Sequence, residues 1–508
     1  MSQRVKTERL ERPLKFVGAG WVGFACLALF LIPIAARQPD PKPAAFDPQR
    51  TYPVEALKSD LGVLWDILEE GHGGLDRYTP RDTLRKSFDK AGEGLVEPLT
   101  ELAFYGRLLP LVARLQDGHT RLSLTSAAEA WLDSRPVFFP FGLRFLKDRA
   151  YLFRDLSADA GLEEGAELLA VNGTPVRDIV SSLLPLMPSD AGIRTAKLRR
   201  LEFPAVFGRL LALRFGLRES FEVRFRPLRG GGAEDAVLPG VTAAEIVRRL
   251  GERYPGAVER RPVYELGFEG PAAVLTIRSF GDDPDKTRPR FPEFLEAAFR
   301  ELADKKTRGL IIDLRGNGGG HDEYAKLLFA HVMDRPFLYY WGLETRKDRY
   351  DLFRYTGESA AGAEELAKPL RKNVRGGFDV VGHPNRGLQM PKEPRFAGRV
   401  AILIDGGSFS ATGEVTSAFH YYKKAVFFGE ECGSGYFGNT SGFMVTATLP
   451  ATGLRVRVPL VLYTMAVDNY PKDRGLVPDV PVEPTIEDLM AGRDVVMERA
   501  LEYLENWF

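Results

Sequence analysis

The stretch DGGSFSATGEV, Asp405–Val415, sets serines and glycines between an apolar run, RVAILI, and a segment, TSAFHYY, that reads as helix. Turning and capping at such a junction favour Ser, Thr and Gly on their own. The same residue types also suit a nucleophile at the mouth of an α/β sheet. A serine there needs a base for its proton and N–H donors for the oxyanion of acyl transfer. A second junction has the same form. RGLIIDLRGNGGGHDEYAKLLF carries Gly316, Asn317, Gly318, Gly319 and Gly320 between a buried-strand pattern and a helix. If the two strands are parallel in one sheet, both loops emerge at one edge, where α/β sites are built.

Other chemistries fit these residues less well. GNGGG is neither G-x-G-x-x-G nor G-x-x-x-x-G-K-[ST], so phosphate cradling has little support. No G-x-S-x-G elbow surrounds the serine. HExxH is absent, and His321 in HDE has no second histidine at helical spacing, so no metal site is expected. A serine base must come from six histidines, at 72, 119, 321, 331, 383 and 420. Spacing does not choose among them. His119, in DGHT, sits at a helix-to-strand break where a side chain can project, although a lone turn histidine is more often bonded to backbone.

Several elements must position these loops. From Val54 to Leu115 the apolar spacing of LKSDLGVLWDILEEGH and LTELAFYGRLLPLVARL predicts helices. They end at Asp117-Gly118 before a short strand, and TSAAEAWL adds a short helix. From 137 to 227 the strands VFFPFGLRFL and RAYLFRDL lead into GLEEGAELLAVNGTPV, with Gly and Asn-Gly turns. A helical stretch, MPSDAGIRTAKLRRLEFPAVFGRLLAL, interrupts them. VTAAEIVRRLGERY reads as helix. After Gly270 buried strands alternate with helices, the pattern of an α/β layered domain. Residues 343–395 are charged and rich in Gly and Pro, and read as a surface insertion.

At 508 residues, 44% hydrophobic and 27% charged, the chain has the composition of a multidomain globular protein. Its 69 basic and 69 acidic residues cancel without a basic stripe, which argues against a nucleic-acid partner. The N-terminus differs. A basic stub precedes FVGAGWVGFACLALFLIPIAA, residues 16–36, an uncharged run long enough to span a bilayer. It is read as an uncleaved anchor with the body outside the cytoplasm, cleavage near Ala35-Ala36 being the alternative. RQPDPKPAAFDP then forms a spacer. Only Cys26 and Cys432 are present, and Cys26 lies in the apolar run, so no disulfide staples the body.

GLEEGAELLAVNGTPV resembles the stretch between the short helix and following strand of a PDZ domain, and FGLRF resembles that family's carboxylate-binding loop. PDZ domains hold extended peptides by strand addition. DLRGNGGG, SFSATGE, GEECGSGYFGNTSG and GLVPDVPV followed by DLMAGRD resemble the S41 family of serine peptidases, which includes the C-terminal processing proteases and the tricorn core. LQDGHTRL and GHGGLDRY resemble the helical region of its tricorn-like branch. The resemblance covers roughly residues 53–495.

That resemblance implies a fold and roles. The expected fold is α/β and multidomain: a membrane-associated segment over 1–50, a helical region over 51–135, a PDZ-like domain over 136–228 and an S41-like α/β core over 229–508. Ser410 matches the nucleophile and His119 the base. The N–H of Ala411 matches one oxyanion donor, and Gly318 or Gly319 the other. Processing proteases use a lysine base, but alignment on Gly429-Glu430 puts Gly435 there, and Lys423 and Lys424 come too early. The branch also places an acid before its Gly-Val-x-Pro-Asp segment. AVDNYPKDRGLVPD offers Asp473 and Asp468, and its register does not choose between them. Glu414 corresponds to the family glutamate after the serine, displaced by one residue, in a structural role, and His72 is read as structural. The implied function is a membrane-anchored, periplasmic serine endopeptidase acting on polypeptides, with no metal or organic cofactor. The alternatives are a non-catalytic binder on the same scaffold and a hydrolase of non-peptide esters or amides. Oligomeric state and cleavage preference are not written in the sequence.

Overall fold

The apolar runs RGLIIDLRG and RVAILI become adjacent parallel strands at the centre of one sheet. The computed structural model describes residues 46–158, 161–258, 261–270, 272–357 and 368–506. The expected membrane segment, 16–36, lies outside the described residues. Among those described, no helix is long and apolar enough to cross a membrane.

The helical N-terminal region consists of α1 (Val54–Gly71), α2 (Arg81–Glu93) and α3 (Glu101–Ala113), then the short strand β1 (Arg121–Ser123) and α4 (Ser126–Asp133). Leu57, Leu61, Leu64 and Leu68 of α1 recur at helical spacing and are all buried.

Next comes an antiparallel sheet of β2 (Phe141–Leu146), β3 (Arg149–Asp155), β4 (Glu167–Val171), β5 (Ser220–Arg226) and β6 (Glu234–Pro239), in that spatial order. Between β4 and β5 lie α5 (Val176–Leu183), α6 (Arg194–Leu201) and α7 (Pro204–Phe215). The helix α8 (Ala243–Arg253) follows β6. It opens on a capping box in which Thr242 and Glu245 satisfy each other's backbone N–H. The sequence boundary at 228 is therefore too early. RGGGAED is a hairpin tip, and β6 pairs with β5 across it. Tyr254 and Arg249 then hydrogen-bond back to Asp155 and Leu156 on the sheet's second strand and its end.

The central sheet runs β7 (Tyr264–Glu269), β8 (Ala272–Ile277), β9 (Gly309–Asp313), β13 (Arg399–Ile404), β14 (Val426–Gly429) and β17 (Val480–Pro481). The strands that lie between these in the chain belong to other sheets. Only the β7–β8 pair is antiparallel. Leu310, Ile312, Ile402 and Ile404 face one side, against α9 (Phe291–Asp304), α10 (Asp322–Ala330) and α11 (Ala411–Tyr421). Ile311, Ala401, Leu403 and Phe428 face the other, against Val496, Ala500 and Leu504 of α12 (Val495–Glu505). Burial on both faces explains why these strands read as unbroken apolar runs.

The further sheet departs from expectation. β10 (Tyr340–Thr345), β11 (Leu370–Lys372), β12 (Phe378–Val380), β15 (Gly438–Thr448) and β16 (Arg455–Met465) pair in the order β11-β12-β10-β16-β15, with β1 also on β16. Three short pieces of the presumed surface insertion thus add strands to a sheet. β11 and β12 are only three residues each, and Arg371 and Lys372 are both exposed, so neither writes a strand alternation. The buried face of β15 and β16, including Val445, Val456, Val458 and Leu460, shares one apolar core with α1 and with Phe138, Phe139 and Phe141 of the β2–β6 unit. The boundary at 135 is therefore not a boundary of packing.

Candidate active site

β9 and β13 are paired in parallel, Ile312 opposite Ile402 and Asp313 opposite Leu403, so the loops after both emerge at one sheet edge. Side chains and backbone lock these loops together. Gly316 N–H donates to Asp405 Oδ1 (2.8 Å), and Phe409 N–H to the Asn317 carbonyl (2.9 Å). Ser408 Oγ is fully buried. It donates to the Leu314 carbonyl (2.8 Å) and accepts from Asp405 N–H (3.1 Å). Of the two serines in SFSATG, Ser408 is the structural one.

Ser410 differs in every respect. It occupies the N-cap of α11 at φ 60° and ψ −125°, and its side chain makes no capping bond. A non-glycine residue in that region is strained by ~1–3 kcal/mol and persists where the surroundings enforce it. The surroundings here include Gly319. A Cβ on Gly319 would lie 2.7 Å from Ser410 Cβ, and its own φ of +102° disfavours any side chain. The glycine loop can approach the serine only because it is glycine.

The partner of Ser410 is His119, whose Nε2 lies 3.0 Å from Ser410 Oγ. Three features hold His119. β1, which begins at Arg121, pairs with β16, Arg121 opposite Arg457, and Arg457 Nε donates to the His119 carbonyl (3.2 Å). The Phe409 ring packs on the imidazole at 4.6 Å. Asp117 Oδ1 accepts from the backbone N–H of His119 (2.9 Å) and Thr120 (2.8 Å), the Asx-type turn that the DGHT spacing permits.

Asp117 is buried, and Thr440 Oγ1 donates to its other oxygen. His72 stands 3.6 Å away. His72 Nδ1 already accepts the Gly74 N–H (3.1 Å), so its Nε2 carries the proton and donates to Thr120 Oγ1 (2.9 Å). Thr120 Oγ1 in turn donates to Asp117 Oδ1 (3.0 Å), so a hydrogen-bond relay runs from His72 to the carboxylate. Burial alone would raise the Asp117 carboxyl, but His72, His119 and the donated hydrogen bonds hold it well below the usual carboxylate range. For His119, burial dominates and lowers its pKa to about 4, against the opposing pull of Asp117.

The orienting acids expected from sequence lie elsewhere. Asp468 and Asp473 are exposed, Asp468 accepting from Asn469 (2.7 Å). Their segment is tied by backbone bonds from Cys432 to Leu476 and from Tyr436 to Arg474, which leaves both carboxylates outward. His119 Nδ1 is buried and has no hydrogen-bond partner among the described residues. Asp117, two residues before the histidine, is the carboxylate that the fold sets beside it.

Asp190, in the segment between α5 and α6, is a second residue without a sequence signal. Its buried carboxylate accepts from Gly118 N–H (2.8 Å), Ser434 Oγ (3.0 Å) and Gly435 N–H (3.2 Å). It bridges the histidine loop to the loop after β14. At Gly435, where a lysine base would align, the space for a Cβ is filled by the Tyr78 hydroxyl. Lys424 pairs with Asp334 instead (2.8 Å). The remaining histidines are occupied differently: His331 stacks on Phe299, His420 bonds Tyr436, His383 faces Asp322, and His321 starts α10.

Of the oxyanion candidates, Gly319 N–H already donates to Asn317 Oδ1 (2.9 Å). Gly318, on the same loop and partly exposed, donates its N–H to no acceptor among the described residues, and Ala411, first residue of α11, has no intrahelical acceptor. A hydroxyl at a strained helix start, an imidazole nitrogen within hydrogen-bond reach and adjacent backbone donors together form an arrangement suited to acyl transfer.

Residues 271–482 match the model of peptidase family S41. A stretch of 102 residues, 18% of the chain, is 31% identical to the carboxy-terminal processing protease CtpB of Bacillus subtilis (strain 168), and the match spans about a fifth (21%) of that protein. Mature CPAF has a similar fold, with a TM-score of 0.57 at 16% identity over 89% of this chain and 96% of its own. Mature CPAF complexed with lactacystin gives 0.58 at 16% identity, over 89% of this chain and 97% of its own.

Proposed function

We propose that this chain, which carries an S41-family peptidase domain over residues 271–482, is a serine endopeptidase acting through Ser410 and His119. One observation carries the reading: His119 Nε2 lies 3.0 Å from the hydroxyl of a serine held at φ 60° with no capping role. Ser410 Oγ attacks a peptide carbonyl while His119 Nε2 takes its proton, then returns that proton to the leaving amine. The N–H groups of Ala411 and Gly318 hold the tetrahedral oxyanion. Asp117, anionic and buried nearby, stabilises the imidazolium that forms in passing and fixes the histidine backbone.

The sheet β2–β6 is read as the PDZ-like unit that presents an extended peptide to this cleft. Glu202, after α6, accepts from Phe145 N–H on the outer strand β2 (3.1 Å), so a peptide adding to that edge displaces it. The apolar segment 16–36 anchors the body to the membrane, with the site outside the cytoplasm. Incubating an unfolded polypeptide with the chain and with Ser410→Ala, and analysing the products by mass spectrometry, tests the activity. Internal cleavage by the parent alone supports it. Hydrolysis confined to small esters supports a non-peptide hydrolase, and no turnover by a folded parent supports a binder.

A further inference from the structure

One turn beyond Ser410, Glu414 is buried at the base of the nucleophile helix, its N–H bonded to the Ser410 carbonyl (3.1 Å). Its carboxyl belongs to a network that neither serine nor histidine uses. Tyr340 Oη lies 2.6 Å from Glu414 Oε2 and 2.9 Å from Asp322 Oδ2. Asn439 Nδ2 donates to Glu414 Oε1 (2.8 Å), and Asn385 Nδ2 to Asp322 Oδ2 (2.9 Å). Asp322 is the first residue of α10, two positions past the glycine loop. The network thus joins the helix that begins at the serine to the helix that begins at the glycine loop, the two halves of the proposed oxyanion hole.

Proton counting constrains it. A tyrosine hydroxyl has one proton and cannot donate to two carboxylates. One of the two acids must itself donate to the tyrosine oxygen. Asp322 is partly exposed, and its Oδ2 also faces Asn385 Nδ2 and, at 3.5 Å, His383 Nε2. His383 Nδ1 accepts the Asn385 N–H (3.3 Å), so Nε2 is the protonated nitrogen and points a donor at Asp322. With three donors and solvent, Asp322 is the ionised acid.

We infer that Glu414 carries a proton in the working enzyme and donates it to Tyr340, which donates to Asp322, so that this single proton holds the serine and glycine-loop helices together. The inference rests on the peptidase reading and deepens it. Glu414 is a positioning residue; it does not touch the reacting atoms. Tyr339 and Tyr463 also face the pair, and among the described residues no cation does so on the Glu414 side. Burial, and next the Asp322 charge, push the Glu414 carboxyl up to about 8 despite the bonds from Tyr340 and Asn439. When Glu414 ionises, two anions compete for one hydroxyl proton and the helices lose their tie.

Two measurements on the full chain test this. Difference infrared spectroscopy between pH 6 and pH 10 is expected to show a protonated-carboxyl band that titrates near pH 8 and is missing in Glu414→Gln, whose neutral amide mimics the protonated acid. Active-serine labelling by a fluorophosphonate is expected to fall about tenfold per pH unit above that point in the parent, and to lose this fall in Glu414→Gln. Absence of the band, or its persistence in Glu414→Gln, overturns the placement of the proton. A band that behaves as expected beside an unchanged alkaline decline in Glu414→Gln overturns the positioning role. A parent that shows the band and labels at no pH supports the proton placement and overturns the peptidase reading beneath it.

Discussion

His119 Nε2 and Ser410 Oγ stand 3.0 Å apart across a separation of 291 residues. The contact exists because β1, two residues after the histidine, pairs with β16, whose Tyr463 and Met465 share one apolar core with Ala411 and Val415 of the helix that starts at the serine. The helical N-terminal region therefore brings His119 to the serine at the carboxyl edge of the central sheet, the base and nucleophile of the proposed mechanism. Neither part is a complete site without the other.

Asp117 shapes the histidine through charge and through its backbone bonds. Asp117→Asn keeps an acceptor for the N–H groups of His119 and Thr120 and removes the charge. We expect kcat to fall by about 10²-fold with KM within a few-fold of the parent, measured by steady-state kinetics. A change confined to KM would argue that Asp117 acts on substrate binding instead.

The lowered His119 pKa sets the acid limb. A general base acts when neutral, so a value of about 4 keeps the histidine competent well below pH 6. Labelling of the serine is expected to be half-maximal near pH 4. Half-maximal labelling near the ordinary 6.5 would show that water reaches the ring more freely than its burial implies. Because the folded value is depressed, the unfolded chain takes this proton first, and stability falls as pH drops from about 6.5 towards 4.

Much of the central sheet is legible in the sequence, because strands buried on both faces write themselves as continuous apolar runs that end in glycine or serine. The antiparallel sheet of β10–β12 with β15 and β16 is not. Its strands are split between distant segments, and their outward charges resemble a loop. Ser410 and His119 stand out at breaks between elements. Asp190 does not, since its value lies in three hydrogen bonds to loops far away in the chain. Asp468 and Asp473 are the right residue type but one register off the expected place, and tertiary hydrogen bonding turns their segment outward, a constraint that sequence spacing does not express.

Gly319 has no room for a side chain. With a Cβ only 2.7 Å from that of Ser410, Gly319→Ala must displace the serine or the glycine loop. The expected result is a loss of at least about 10²-fold in kcat/KM, comparable to removal of an oxyanion donor. Activity within threefold of the parent would mean that the loop is not part of the site.

Asp190→Ala leaves the Gly118 N–H, the Gly435 N–H and the Ser434 hydroxyl without their buried acceptor. Each orphaned donor costs about 1–3 kcal/mol. Chemical denaturation should register a loss of at least that size, with slower serine labelling because the histidine loop is released. An unchanged unfolding midpoint would contradict the bridging role.

The most direct test of the whole account is fluorophosphonate labelling of the chain with the modified residue mapped by mass spectrometry, alongside Ser410→Ala and His119→Ala. A single adduct on Ser410 is expected, none in Ser410→Ala, and labelling at least about 10²-fold slower in His119→Ala. An adduct on another serine, or His119→Ala labelling at the parental rate, would contradict it.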